Sequence, residues 1–114
     1  MPIAIETLPG NITRVVLSRR IDIAGARDID LPLSVVAGAS RAVLIDLAAV
    51  EFMASMGLRG LVICAKSIAA KKGRTVLLAP RPAVAEVLSV SGIDALIPVH
   101  ATEAEALAAL AAPR

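Results

Sequence analysis

The sequence predicts an α/β domain built on a mostly parallel sheet of about five strands, with an antiparallel edge and about four helices packed mainly on one face. Three observations carry this reading. From about residue 26 onward, helix-like and strand-like patterns alternate, and such alternation gives parallel strands joined by right-handed crossovers. The runs Ala42–Ile45 and Thr75–Ala79 are nearly unbroken apolar stretches. A strand covered on one face would alternate, so these read as strands buried on both faces. At the N-terminus, two strand-like runs flank Pro9-Gly10-Asn11, a turn by composition. They read as a hairpin at the edge of the sheet.

Taken in order, Ile3 to Leu8 is the first strand and Thr13 to Ser18 the second, with Val15 and Leu17 on one face. A helix is expected over Ala26 to Gly38. Pro32 removes a hydrogen bond inside it, so the helix either starts near Asp30 or bends at the proline. Gly38 suits its C-terminal cap. Val43 to Leu47 is the central strand, followed by a bridge in which Asp46 stabilises the strand end and Glu51 is solvated. Apolar residues then recur at Leu58, Leu61, Val62, Ala65, Ile68 and Ala69, the spacing of one helix face. That central helix runs from Ser55 to Lys72, ends at Gly73, and carries Lys71 and Lys72 in its last turn. Arg74 to Ala79 is the next strand and Pro82 to Val90 the next helix. Leu96 to Val99 is the last strand, confined to an edge or a strand end by Pro98. Thr102 with Glu105 forms a capping box that opens a final helix, with Leu107 and Leu110 on its core side. No repeat or linker interrupts the pattern, so residues 1–114 read as one domain.

Composition narrows the chemistry. The chain is 57% hydrophobic but 1% aromatic, so its core is built from Leu, Ile, Val and Ala. A formal charge of +2 would suit a polyanion. The cations are scattered, however, and Phe52 is the sole aromatic, so nucleic-acid binding lacks support. One cysteine, Cys64, cannot form an internal disulfide and sits inside the central helix as a small core side chain. Pro2 and Glu6 stand where a signal peptide would carry basic and apolar residues, and no apolar run reaches about 18 residues. The cytoplasm is the expected location, with no membrane span.

Catalytic sets are missing from the pattern. His100 is the single histidine, so no Ser–His triad can form. Cys64 and His100 do not make a zinc set, and Gly57 and Gly60 lack the rest of a phosphate loop. Asp46 and Glu51 form a carboxylate pair only on paper, with no electrophile or base beside them in sequence. A binding module without cofactor or metal is expected rather than an enzyme.

The informative stretch is Asp46 to Leu58. Ser55 stands where the central helix begins. Its oxygen can accept a hydrogen bond from a first-turn N–H, and the positive end of the helix dipole there tolerates an anion. The run Asp46-Leu47-Ala48-Ala49-Val50-Glu51-Phe52-Met53-Ala54-Ser55-Met56-Gly57-Leu58 resembles the signature of anti-sigma factor antagonists, the STAS domain family. Matching positions are Asp46, Leu47, Phe52, Met53, Ser55, Gly57 and Leu58. Ile21-Asp22-Ile23-Ala24-Gly25-Ala26 and Leu88 to Gly92 resemble two further features of that family.

The resemblance implies a STAS-like fold and a partner-switching role. The unphosphorylated chain would bind an anti-sigma factor of the histidine-kinase-like ATPase type. That serine kinase would phosphorylate Ser55, and a PP2C-type phosphatase would reverse the step. Asp22, Ala54, Ser55, Met56, Gly57, Arg59, Ser91 and Gly92 would form the partner-binding surface. Three positions depart from the family pattern: Ala54 replaces an aspartate, Met56 replaces a small residue, and Arg19 or Arg20 replaces a glycine ahead of Asp22. Ala54 favours an alternative, a constitutive STAS subunit of a signalling scaffold or transport assembly in which Ser55 is only a helix cap. A third reading, a nucleotide or small-ligand sensor, rests on the anion-friendly helix start alone.

Overall fold

Ile3–Leu8 (β1) and Ile12–Ile21 (β2) pair antiparallel around the expected turn, in the computed structural model that describes residues 1–112. Ala42–Met53 (β3), Arg74–Leu78 (β4) and Val99–His100 (β5) then add in parallel, giving the order β1-β2-β3-β4-β5. The helices are α1 (Ile23–Ala39), α2 (Ser55–Ala70), α3 (Pro82–Val90), α4 (Ile93–Leu96) and α5 (Glu103–Ala111).

Two cores explain the apolar runs. On one face, Val15, Leu17 and Ile21 of β2 and Val43, Ile45 and Leu47 of β3 pack with α1 to α4, including Ile29, Leu33, Leu61, Ile68, Val84 and Leu88. On the other, Leu44, Val76, Leu78 and Ile12 meet Ala106 and Leu110 of α5. The middle strands are therefore covered on both sides, and each fully buried Leu, Ile or Val stabilises the fold by roughly 1.5–3 kcal/mol. Helices gather mainly on one face, as expected, with α5 alone opposite.

Several boundaries differ from the sequence pattern, each for a local reason. The central strand does not stop near Leu47 but runs to Met53. Its register against β2 shifts twice, as Val16 pairs with Asp46 but Ser18 with Ala49, and Arg19 with Val50 but Arg20 with Phe52. Bulges absorb the extra residues where a bridge was expected. Asp46 supports the first of them, its Oδ1 accepting the Ala48 N–H at 2.9 Å. Likewise β2 continues past Ser18 to Ile21.

The first helix begins at Ile23 rather than Ala26 or Asp30, because Asp22 caps it: Asp22 Oδ1 accepts the Gly25 N–H at 2.9 Å. Pro32 lies inside α1, and Gly38 is helical, with Ser40 as the C-cap. Leu96 belongs to the short α4, and the last strand is only Val99–His100. At the end of α2 the left-handed residue is Lys72 (φ 64°), not Gly73. Lys72 N–H reaches Ala69 O and Gly73 N–H reaches Ile68 O, both at 2.9 Å, the Schellman pattern. Gly73 is needed for another reason: a Cβ there would collide with the Arg41 carbonyl. Lys71 does not serve its own helix end. Its ammonium donates to Ala37 O at 2.6 Å and Ser40 O at 2.9 Å, closing the C-terminus of α1.

The capping box forms in modified shape. Thr102 Oγ1 accepts the Glu105 N–H at 3.3 Å, and the Glu105 carboxylate takes the threonine hydroxyl at 2.8 Å. Arg14 ties this helix start to the sheet, pairing with Glu6 at 3.2 Å, Asp46 at 2.6 Å and Glu103.

Candidate functional site

The C-terminal ends of β2 and β3 lie side by side, and each feeds a helix. Ile21 pairs with Met53, and the Ala54 N–H donates to Ile21 O at 2.8 Å, so the chain leaves both strands at the same level. One residue on, Asp22 caps α1; Ala54, in extended backbone (φ −80°, ψ 164°), holds the N-cap position of α2. The two helix starts thus share one rim of the sheet.

Ser55 is the first helical residue of α2, not its cap. Ala54 has no oxygen to offer, so no side chain caps this helix, and the Ser55 hydroxyl has no hydrogen-bond partner among the described residues. The expected serine-to-backbone cap is therefore absent. What remains is an exposed, uncommitted hydroxyl at the positive end of a 16-residue helix. Beside it, Met56 is 53% exposed. Such an apolar side chain gains by being covered.

Gly57 sets the closeness of α2 to the strands. A Cβ there would stand 2.6 Å from the Met53 sulfur and 2.7 Å from Ile21 Cγ2. Any side chain would push the helix start away from the rim. Arg59 is exposed one turn beyond Ser55 and has no ion-pair partner within reach among the described residues. Together with Ala26, Asp30, Met56, Gly60 and Ile63 it lines a groove of about 260 Å³ between α1 and α2.

The structure brings Asp22, Ala54, Ser55, Met56, Gly57 and Arg59 together at this rim. Ser91 and Gly92 stand apart from it, at the junction of α3 and α4, where Gly92 turns the chain with φ 79°. The Ser91 hydroxyl donates to Leu88 O at 3.2 Å, and among the described residues no hydrogen bond joins the pair to the Ser55 region. Because β5 is parallel to β4, α3 and α4 carry the chain back toward the strand N-termini. Leu96, Ile97 and Pro98 accordingly line a cavity with Gly73 to Val76, the start of β4.

Phe52 matches the signature, but its contact at the rim is not readable from the sequence. Phe52 is 40% exposed, and the Arg20 guanidinium lies over its ring, 4.6 Å from the centroid. Only the second bulge puts these two residues opposite each other, and no residue spacing announces it. Ile63 stands seven residues after Met56, which puts both on one helix face.

Cys64 takes no part. It is 2% exposed, its sulfur 3.9 Å from Leu33 O, and burial raises its thiol to about 11 despite the nearby Lys71. Among the described residues no three His, Cys, Asp or Glu side chains form a metal-sized cluster, and no helix is long and apolar enough to cross a membrane.

The profile of the STAS domain matches residues 3–106. An anti-sigma-factor antagonist (STAS) domain protein from Planctomyces limnophilus superposes with a TM-score of 0.85 at 30% identity, covering 96% of this chain and 97% of that one. An anti-sigma factor antagonist from Mycobacterium paratuberculosis gives 0.84 at 30% identity, over 95% and 92% of the two chains. The Bacillus cell fate determinant SpoIIAA in its phosphorylated form gives 0.72 at 25% identity, over 92% and 96%. No curated protein sequence matches this one significantly.

Proposed function

The chain belongs to the STAS domain family, and from that premise we propose that it is an anti-sigma factor antagonist that acts as a phosphorylation-controlled partner switch. Its resemblance to antagonists from Planctomyces limnophilus and Mycobacterium paratuberculosis supports the role. The observation that carries the mechanism is the exposed Ser55 hydroxyl, without a hydrogen-bond partner among the described residues, next to the exposed Met56.

In this reading the unphosphorylated rim docks on an anti-sigma factor that is also a serine kinase of the histidine-kinase-like ATPase type, freeing the sigma factor in the cytoplasm. Met56 is buried in the contact, and Asp22, Ala54, Gly57 and Arg59 shape the surface around it; Ser91 and Gly92, which stand apart from the rim, are left out of it. The kinase transfers the γ-phosphoryl group of ATP to Ser55 Oγ, which loses its proton as ADP leaves. A PP2C-type phosphatase hydrolyses the ester back to serine and inorganic phosphate.

Phosphorylation adds about −1.5 to −2 charges and three acceptor oxygens. In the free chain the α2 dipole offsets that by roughly 0.3–2 kcal/mol, and no cap is lost because Ser55 makes none. In the complex the same dianion meets a surface that fitted a neutral hydroxyl, at a cost of several kcal/mol. Each ~1.4 kcal/mol is tenfold in affinity, so release needs no change of fold.

The test is binding of the cognate kinase to Ser55→Ala and Ser55→Asp, with site-mapped mass spectrometry of the chain from its native host. Ser55→Ala is expected to bind as the unmodified chain does and Ser55→Asp at least tenfold more weakly. Equal affinities sink the switch. A second reading, a constitutive STAS interaction subunit, is favoured by Ala54 in place of the family aspartate. An unmodified Ser55 under all growth and stress conditions would select it.

A further inference from the structure

We propose that Arg59 is the built-in counter-ion of a phosphoryl group on Ser55: the phosphorylated chain closes a salt bridge along its own α2, and this takes Arg59 out of the docking surface along with the hydroxyl. The inference rests on Ser55 being the modified residue.

The geometry points to it in three ways. Residues four apart on a helix are neighbours, about 5–6 Å between Cβ atoms, and an anion N-terminal to a cation is the better order. Side chains on a helix lean toward its N-terminus, so a long arginine at position 59 tilts back over position 55. Both residues are exposed, on the solvent-facing side opposite the buried Leu61, Cys64 and Ile68. Lys66 falls near the same line further on.

Arg59 is also uncommitted. Asp30 of α1 lines the same groove, yet no ion pair forms between the two, and Arg27 beside it adds a second positive charge. Asp22, the other acid at the rim, caps α1 through its Oδ1, and among the described residues no ion pair joins it to Arg59. Ala54 removes the one acid that the family pattern would place against the phosphate. A guanidinium offers paired N–H donors to phosphate oxygens, which a lysine cannot match in geometry.

The phosphate itself reports the contact. Phosphoserine is installed at position 55 during synthesis of the full chain, and its second ionisation is followed by ³¹P NMR. The comparison spans the parent sequence, Arg59→Lys, Arg59→Met and, as a control on the competing acid, Asp30→Asn. Relative to the parent, the Arg59→Met phosphate is expected to bind its second proton roughly two- to tenfold more tightly, with Arg59→Lys in between. Raising the salt should shrink the difference. Asp30→Asn should leave it in place or enlarge it.

Identical titrations for the parent and Arg59→Met would overturn the assignment. So would a phosphoserine chain that loses its native fold. The readout needs no binding partner. If the phosphoserine chain still holds the kinase while the titration moves as expected, the partner switch fails and the Arg59 contact stands.

Discussion

Arg19 carries the sharpest local conflict between side chain and backbone. Family members place a glycine just ahead of the residue pair Ile21-Asp22, and here Arg19 takes the left-handed conformation (φ 65°) between the two register shifts of the β2–β3 ladder. An L-residue with a Cβ is strained there by about 1–2 kcal/mol, whereas glycine is not. Glycine gives back about 0.5–1 kcal/mol in chain entropy. Arg19→Gly should therefore stabilise the domain by roughly 0.5–1 kcal/mol, read as a higher urea midpoint at unchanged slope. A lower midpoint would mean that the arginine side chain contributes more than its backbone costs. Ser55 is the opposite case. Its identity was legible as chemistry, a hydroxyl at a helix start, but its bond was misjudged by one position. Whether a helix begins at a serine or just after an alanine depends on the ladder bond from the Ala54 N–H to Ile21 O, a contact 33 residues away in sequence (54 − 21).

The helices and strands themselves were largely legible, because their periods are local properties. Pro82–Val90, the capped start at Thr102 and the β1–β2 hairpin match the pattern closely. What was not legible was tertiary. The bulges that lengthen β3 exist only relative to β2, and α1 runs through Pro32, with its start fixed by Asp22 and its end by a side chain from another helix. That side chain is Lys71, whose ammonium serves Ala37 O and Ser40 O of α1. Charge-assisted bonds to the negative end of a helix are worth more than a surface pair. Lys71→Met should lower stability by about 1–3 kcal/mol, seen as a drop in thermal midpoint, while Lys72→Met should change it far less. Equal effects would show that Lys71 acts only through general charge.

At the level of the whole molecule the sheet has unequal support. β4 pairs with β3 only from Ala42 to Asp46. Beyond that, the seven residues of β3 from Leu47 to Met53, roughly 20 Å of strand, are laddered to β2 alone. The rim therefore hangs on one ladder broken by bulges, whereas the middle of β3 is held on both edges and covered on both faces. Local opening should start at the rim. In native-state hydrogen exchange, ladder amides of Ala49–Met53 should exchange at least about tenfold faster than those of Val43–Asp46. A uniform rate along β3 would mean that the ribbon opens only with the global fold.

The same ribbon has a geometric meaning. Phe52, Ser55 and Met56 are exposed beyond the last β4 pairing, while Ile21, Val50 and Met53 of the same strand ends stay buried. A partner that covers the three exposed residues leaves the core beneath them undisturbed, so docking and folding can be altered separately.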